Sequence, residues 1–520
     1  MRFIISVLAV LYLAVVTGTT QTLATNGPVR PMSLADCLRS ALERNLSIQV
    51  GDRVELGGAT ADLDQRSGGR LGLDAARVSL HQAYSYYDPE FVLRAGQTYD
   101  KNPGGFEPLT SQSTPGTEQW REFFESGIGG QLPTGARYDI TTSGRRTSGF
   151  NFESNSSIPS EYRAEAAIAV TQPMLRDFWI DQGRLDIKLS KQEVKLSEYG
   201  VQLLVMDIAK RVALAYFDLL AAREQIKVQT TALELARQLV SENRKKVEVG
   251  TMAPLDEKQA ESQAASAESD LQAAIFLAQQ NENLLKSLIT HDFAEVQPVT
   301  IEPTDKLLAL YQSFSLPEAW RNGIEKRPDY LRNKQIVEDQ ELVLTYRRNQ
   351  LFPRLDVTGT YGRNALGTTS EGAVESVGDD RFPKWGGWVT VRLPITRRND
   401  RDAYKKAKLA KEAFILTLKR KEDTVLQEID DALKKVQSTY TTTQSRRAGR
   451  IYAEAALDAE QKKLDNGKST SFNVLQLQKD RTQASSLEIQ ALADYNKALH
   501  ELYFSEGTTL ERNKVTLELR

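Results

Sequence analysis

The sequence predicts a mixed α and β fold in which strands lead into very long antiparallel helices, with this whole unit present twice in one chain. The first observation is a duplication, since residues 246–256 return as residues 463–473, each between a long helix and an Ala/Gln-rich one. The second is an alternation of apolar and polar residues ahead of each long helix. The third is two long stretches without proline, at about 184–249 and 401–466. Two copies of one unit favour a pseudo-symmetric ring or tube.

Residues 1–24 have the features of a secretory signal peptide. A basic start and an apolar run, Phe3–Val16, precede a small-residue cleavage site at Ala24. The run is too short to span a bilayer, which disfavours the alternative of an uncleaved anchor helix. The mature chain would begin near Thr25 in an exported compartment. The only cysteine, Cys37, lies away from the cleavage site, so we expect neither lipid attachment there nor a disulfide within the chain.

The first repeat is predicted over residues 25–312. It opens with a helix near Ser33, continues with strands between about 91 and 171 and a helical hairpin at about 184–290, and ends in a linker. Apolar residues of the first long helix step by three and four positions, which predicts a coiled-coil seam. Strands with one apolar and one polar face fit a soluble sheet, which the alternation alone favours, and also a barrel between lipid and water.

The second repeat is predicted over residues 313–505. It again combines an opening helix, strands at about 355–394 and a helical hairpin at about 401–503, and residues 506–520 form a C-terminal tail. Small residues on the return helices of both hairpins predict close packing between neighbouring helices. Length alone would allow several domains, but the duplication argues for one integrated architecture.

The two repeats differ in their strands. The first contains more strand-like pieces than the second, including Phe123–Leu132 and Gly135–Ser143. Three outcomes stay open for this extra hairpin: a larger barrel, a segment folded across the barrel mouth, or extracellular loops.

Several short motifs recur in a fixed order along the chain. These are the Ser33–Asp36 opening, the Thr171–Arg176 junction, the Tyr216–Leu220 segment, the Val249–Thr251 turn and the Phe352–Leu355 segment. In their order and duplication the sequence resembles the TolC-like outer membrane efflux protein family, and the resemblance extends from Ser33 to about Arg512.

The resemblance implies a homotrimer located in the cell outer membrane with a periplasmic extension. Its strands would form a β-barrel surrounded by lipid, and its long antiparallel helices would form a periplasmic α-barrel. The implied function is a passive export path for a tripartite efflux pump or a type I secretion system, with a periplasmic adaptor and an inner-membrane pump as partners. Such a channel carries drugs, metals or polypeptides, and the sequence does not name the cargo or the pump.

The hairpin turns are the predicted adaptor contacts. Val249, Gly250 and Thr251 match the family's turn well, and Asn466, Gly467 and Lys468 form a looser second-copy counterpart. The alternative is that both glycines only permit a tight turn, and the two explanations are compatible.

Two further residues are candidates for the pore constriction. Family members often carry acidic side chains on the helix after the second turn, and the matching positions here are Asn473 and Gln476. Because rings of carboxylates attract cations and amides do not, we expect weaker cation selectivity and weaker block by divalent cations than in an acid-ringed relative.

No catalytic, metal or cofactor site is predicted. His81, His291 and His500 are scattered without a second ligand at metal spacing, so each is expected to be a surface or interfacial side chain. Basic residues are interleaved with acidic ones, which argues against a nucleic-acid partner. The two alternatives to a channel are a periplasmic adaptor, which would have one hairpin rather than two in tandem, and a structural coiled-coil protein, which would not need the strands.

Overall fold

The fold was analysed in a computed structural model that describes residues 28–50, 53–56, 59–62, 69–107, 112–114, 116–151, 156–379 and 381–515. The predicted signal peptide, residues 1–24, lies outside the described residues. The helices are α1 (Leu34–Arg44), α2 (Leu46–Val50), α3 (Arg70–Tyr84), α4 (Gln182–Glu248), α5 (Pro254–Ile289), α6 (Phe293–Val296), α7 (Leu316–Lys326), α8 (Pro328–Asn349), α9 (Ser370–Gly378), α10 (Arg398–Asp465), α11 (Ser471–Ser505) and α12 (Thr509–Arg512). The strands are β1 (Val29–Met32), β2 (Arg53–Leu56), β3 (Ala59–Asp62), β4 (Glu90–Asn102), β5 (Gly105–Glu107), β6 (Gln112–Thr114), β7 (Thr117–Gln131), β8 (Arg137–Asn151), β9 (Ser156–Pro173), β10 (Thr300–Pro303), β11 (Arg354–Gly367) and β12 (Pro383–Arg392).

The predicted mixed fold is confirmed, and its largest sheet joins strands of both repeats. Six strands pair antiparallel in the order β12-β11-β9-β8-β7-β4. The strand-like pieces Phe123–Leu132 and Gly135–Ser143 belong to β7 and β8, which lie inside this sheet between β4 and β9. The first repeat therefore contributes four strands and the second contributes two. An unpredicted helix, α9, connects β11 to β12 and packs on Ala164 and Ala365.

Two helical hairpins dominate the rest of the chain. Helix α4 runs over 182–248 where about 184–249 was predicted, and α10 runs over 398–465 where about 401–466 was predicted. Each is followed by an antiparallel return helix, α5 or α11. None of the helices in the described part of the chain combines the length and the apolar character that crossing a bilayer requires.

The largest apolar core surrounds the middle of α4. Its buried residues come mainly from α4 and α1, with others from α2, α3, the ends of α5 and α11, and the parallel pair of strands β1 and β10. Tyr216 joins these parts, because its hydroxyl donates to Asp305 Oδ2 at 2.7 Å and lies 3.2 Å from Met32 O. Cys37 is fully buried here, and burial raises its thiol pKa to about 12. A thiol that stays protonated and enclosed is unreactive.

Helices α1 and α7 pack against α4 and α10 in the same way. Cys37 and Ala319 lie at matching positions of the two helices, and both are buried. Gly323 allows α7 to approach closely, since a Cβ there would lie 2.4 Å from Ile429 Cδ1. The residues that follow α1 and α7 also match, because each donates a hydrogen bond to the end of the return helix of its own repeat. These pairs are Asn45 Nδ2 to Leu288 O at 2.8 Å and Arg327 Nη1 to Ser505 O at 3.4 Å.

The segment after α11, predicted as a C-terminal tail over residues 506–520, is described up to residue 515. Its helix α12 packs on α4 and α11, and Thr509 is fully buried. Gly507 in the turn after α11 has φ +76°, and a Cβ there would lie 2.9 Å from Arg327 N. Both the backbone conformation and the close approach of this turn to Arg327 therefore require glycine. His500 was expected at a surface or an interface, but it is buried with only 8% exposed. Its ring packs beside Phe217 and Tyr503.

The burial of His500 predicts a loss of stability in mild acid. Burial lowers the pKa of this imidazole from 6.5 to about 4. Below pH 6.5 the unfolded chain binds a proton that the folded chain does not bind, so stability falls as the pH drops towards 4. The loss reaches about 3 kcal/mol at 1.36 kcal/mol per pKa unit. We expect His500→Gln to flatten the pH dependence of thermal unfolding between pH 6.5 and 4, and an unchanged slope would contradict this assignment.

Candidate functional site at the helical hairpin tips

The two hairpins end in turns of the same geometry. Gly250 has φ +74° and Gly467 has φ +69°, and each follows the last helical turn directly. In the first turn Gly250 N donates to Val247 O at 3.0 Å and Thr251 N donates to Lys246 O at 2.9 Å. The second turn repeats both bonds, from Gly467 N to Leu464 O at 3.0 Å and from Lys468 N to Lys463 O at 2.8 Å. This pair of hydrogen bonds defines a Schellman motif, which satisfies the last carbonyl groups of a helix.

All six residues predicted as adaptor contacts are exposed at these tips, and the structure groups them as two separate triplets. A Cβ on Gly250 or Gly467 would meet no atom within 4 Å, so only the positive φ, and not close packing, requires glycine there. Val249 is the clearest surface feature, because 72% of this apolar residue is exposed. Single exposed apolar residues are common on protein surfaces, so the exposure of Val249 gains meaning only beside other apolar residues at the tips.

Sequence analysis missed two further apolar residues at the tips. Leu255 and Phe472 each lie five positions after the turn glycine, and they are 66% and 59% exposed. Their equal offset from Gly250 and Gly467 is a signal that the sequence already contained. Each tip therefore presents a large apolar side chain at the start of its return helix, next to an open turn.

Ion pairs join the two helices of the first tip, and polar contacts fix the turn of the second. In the first tip Arg244 contacts Glu257 at 3.1 Å and Glu261 at 3.2 Å across the two helices. In the second tip Glu460 accepts from Ser469 Oγ at 2.5 Å and pairs with Lys463 at 2.8 Å. These hydrogen bonds, from Lys463 first and then from Ser469, lower the pKa of Glu460. Exposed pairs of this kind contribute little stability, but they restrict the orientation of the tips.

A polar seam joins the two hairpins along α4 and α11. Asn243 is fully buried near the tips, and its amide nitrogen donates to Ser471 Oγ at 2.7 Å and to Asp256 O at 3.3 Å. Farther from the tips, Gln225 donates to Ser486 at 2.7 Å and Lys497 pairs with Asp218 at 2.8 Å. Separating the two tips would leave this buried amide without its partners, which costs free energy.

Asn473 and Gln476, the constriction candidates, lie on one exposed face of α11. Gln476 Nε2 donates to Asp480 Oδ1 at 3.0 Å, and Asn473 Nδ2 lies 3.4 Å from Ser469 Oγ. Asp480 is therefore the carboxylate one turn beyond the two amides on this face. The structure brings these residues close to the second tip.

Adding carboxylates at the two amide positions should create strong cation selectivity. We expect Asn473→Asp/Gln476→Glu to raise the cation-to-anion permeability ratio several-fold and to introduce block by divalent cations, because charged rings concentrate the field in a narrow pore. Single-channel recordings with Asn473→Ser/Gln476→Ser as the neutral control, and Asp480→Asn to measure the contribution of the remaining acid, check this. Strong divalent block of the unmodified channel that disappears in the neutral variant would contradict it.

Within the described residues, no group of three or more His, Cys, Asp and Glu side chains could hold a metal ion. The three histidines lie apart, on α3, after α5 and on α11.

Comparison with known proteins places this architecture in one family. The family model described as "Outer membrane efflux protein" matches residues 177–291 and 337–508, which together are more than half of the chain. The cobalt-zinc-cadmium resistance protein CzcC of Cupriavidus metallidurans is 25% identical over 207 residues, or 40% of this chain. That alignment spans 45% of CzcC, which is less than half the length of the curated relative.

Several solved structures share the fold over nearly the whole chain. A membrane protein from Pseudomonas aeruginosa matches with a TM-score of 0.63 at 17% identity, covering 92% of this chain and 91% of that chain. The CmeC outer membrane channel of Campylobacter jejuni matches with a TM-score of 0.61 at 15% identity, covering 92% and 86%. The open state of the MtrE outer membrane channel of Neisseria gonorrhoeae matches with a TM-score of 0.61 at 16% identity, covering 93% and 91%. The residues that match the family model include both long hairpins and more than half of the chain. The chain therefore belongs to the outer membrane efflux protein family.

Proposed function

We propose that this protein is the outer-membrane channel of an export machine and provides a passive path across the outer membrane and the periplasm. The observation that carries the proposal is the direct fusion of a six-stranded sheet to two helical hairpins with identical turns. One face of the sheet exposes large apolar residues, as lipid contact requires. The hairpins extend from the sheet as the wall of a periplasmic tube, and the protein needs no catalytic step of its own.

A homotrimer is the assembly that we propose for this channel. The sheet has two open edges, β4 and β12, whose backbone groups need partners when they lie in lipid. Pairing β12 of one copy with β4 of the next closes the sheet into a barrel and removes both edges. Three copies then supply six similar hairpins, two from each chain, around one axis.

A periplasmic adaptor and an inner-membrane pump are the proposed partners. The six exposed tip residues and the apolar side chains Leu255 and Phe472 would contact the adaptor, while the pump supplies energy. CzcC is a cobalt-zinc-cadmium resistance protein, so divalent metal cations are one candidate cargo. Drugs and polypeptides are the others.

The alternatives fit the structure less well. A periplasmic adaptor would have one hairpin, whereas this chain has two that share a continuous seam. A structural coiled-coil protein would not need a sheet with an apolar face.

Three measurements test the proposed function. The protein should be recovered from the outer-membrane fraction and require detergent for extraction, and purified trimers should produce discrete conductance steps in planar lipid bilayers. A photo-crosslinking residue at Val249 or Asn466 should capture a periplasmic adaptor in cells, whereas the same residue at Tyr361 in the sheet should not. Recovery of the protein only from the soluble periplasm would overturn the proposal.

A further inference from the structure

The additional hairpin of the first repeat is paired along its full length on both sides. Strand β7 pairs with β4 from Thr117 to Gly129, and β8 pairs with β9 from Arg137 to Asn151, with one irregularity near Thr147. A segment that folded across a barrel mouth or formed extracellular loops would leave one of these edges unpaired. The hairpin therefore occupies the same layer as the strands that flank it.

The two faces of the sheet also continue through this hairpin. One row of directly paired residues crosses all six strands, and every member is a large apolar or aromatic residue that is between 41% and 81% exposed. The row consists of Phe91, Ile128, Ile140, Ile168, Tyr361 and Trp385. Ile128 and Ile140 are the members from β7 and β8. The additional strands thus present the same apolar face as the rest of the sheet.

The opposite face is polar along the same strands. Arg94 lies 3.9 Å from Glu125, and Lys384 pairs with Glu165 at 2.7 Å. Alternation along a strand places the neighbours of the apolar row, such as Thr141 on β8 and Thr360 on β11, on this polar face. The additional hairpin therefore has a water-facing side as well as a lipid-facing side.

The tight turn of the hairpin is built against the start of the helical region. Leu132 N donates to Ala136 O at 2.7 Å, and Gln172 Nε2 donates to Thr134 O at 3.1 Å. Gly135 has φ +84°, and a Cβ there would lie 2.3 Å from Asp177 O. The turn is thus fitted to the junction between β9 and α4, at the helical end of the sheet.

We propose that this hairpin is part of the barrel wall, so that each subunit contributes six strands and the trimer forms a barrel of eighteen. This inference rests on the proposed trimeric channel. One hairpin from each repeat would give four strands per subunit and twelve in a trimer, whereas six strands in each of three subunits give eighteen. Because barrel diameter grows roughly linearly with strand number, an eighteen-stranded barrel is about one and a half times as wide as a twelve-stranded one. The barrel then sets no narrow size limit, and the helical tube alone selects cargo by size.

Cysteine labelling tests the position of the hairpin in the wall. In a Cys37→Ala background, single cysteines replace Ile140 and Thr141 on β8, with Tyr361 and Thr360 on β11 as the matched control pair. We expect a membrane-impermeant maleimide to label the trimer in lipid vesicles at least tenfold faster at positions 141 and 360 than at 140 and 361. Equal, fast labelling at 140 and 141 with alternation preserved on β11 would overturn this inference and leave the proposed channel intact.

Two further outcomes complete the test. If the labelling rate does not differ between the two positions of either pair, the proposed channel is overturned together with this inference. An image of the trimer in a lipid nanodisc gives an independent count of the strands that does not depend on any variant. Eighteen strands in the wall support the inference, and twelve strands with β7 and β8 outside the wall contradict it.

Discussion

Replacing Arg327 with alanine is expected to lower the free energy of unfolding by about 3 kcal/mol, because the change removes one of the two cations that the buried Asp329 carboxylate contacts and leaves Glu428 unpaired. Arg327 is 2% exposed at the junction of α7 and α8. Its Nε lies 2.8 Å from Asp329 Oδ1 and its Nη2 lies 3.1 Å from Asp329 Oδ2, while Nη2 also contacts Glu428 on α10. Lys421 completes the cluster at 2.7 Å from Asp329.

The charges in this cluster depend on one another. Burial alone would raise the pKa of Asp329, but Arg327 and Lys421 outweigh burial and hold that pKa below its usual value. Without Arg327, Glu428 has lost its partner and the carbonyl of Ser505 has lost a donor. The second repeat would then keep the Lys421–Asp329 pair but lose the contacts that join the start of α8 to Glu428 on α10 and to the end of α11.

Thermal unfolding of the purified protein in detergent, followed by circular dichroism, measures this effect. Lys326→Ala is the matched control, since the Lys326 side chain forms an exposed pair with Glu511 and its removal should change stability by less than about 1 kcal/mol. Arg327→Lys should fall between the two, because lysine keeps the charge but not the forked geometry. An Arg327→Ala protein that unfolds at the same temperature as the unmodified protein would show that the cluster does not stabilise the fold.

The long helices could be predicted closely from the sequence, whereas the arrangement of the strands could not. A proline-free stretch with heptad spacing marks the course of α4 and α10 without reference to any other part of the chain. Alternation in Phe123–Leu132 and Gly135–Ser143 locates two strands and their faces, but it contains no information on which strands they pair with. Their position between β4 and β9 is a tertiary result.

The same distinction applies to the candidate site. The turn glycines could be predicted because a positive φ is a local requirement. The burial of His500 and the packing of Thr509 could not, since both depend on contacts with distant helices. Leu255 and Phe472 form a third class, because their equal offset from the glycines was visible in the sequence but their exposure needed the structure.

Introducing charge at the apolar tip residues is expected to abolish export while the channel itself stays folded. In Leu255→Asp/Phe472→Asp, carboxylates replace two side chains that have few contacts to lose within the chain, since they are 66% and 59% exposed. At the centre of an adaptor interface, apolar anchors supply most of the binding energy, and truncation of each typically costs 2 kcal/mol or more, roughly a thirtyfold weaker contact. An unpaired carboxylate in a desolvated interface adds to this loss.

Adaptor crosslinking from Val249 and the growth of cells exposed to the exported compound measure the loss of docking. We expect crosslinking to fall at least tenfold and growth to match that of cells without the gene, while heat resistance of the trimer and conductance in planar bilayers stay unchanged. The exchange Leu255→Phe/Phe472→Leu is the matched control, because it keeps an apolar side chain at each tip and should retain export. If the charged variant exports normally, the tips do not dock through these residues, and if its trimer is destabilised, the loss of export reflects folding. Because each trimer would carry six such tips, a defect confined to docking should appear in export and crosslinking alone.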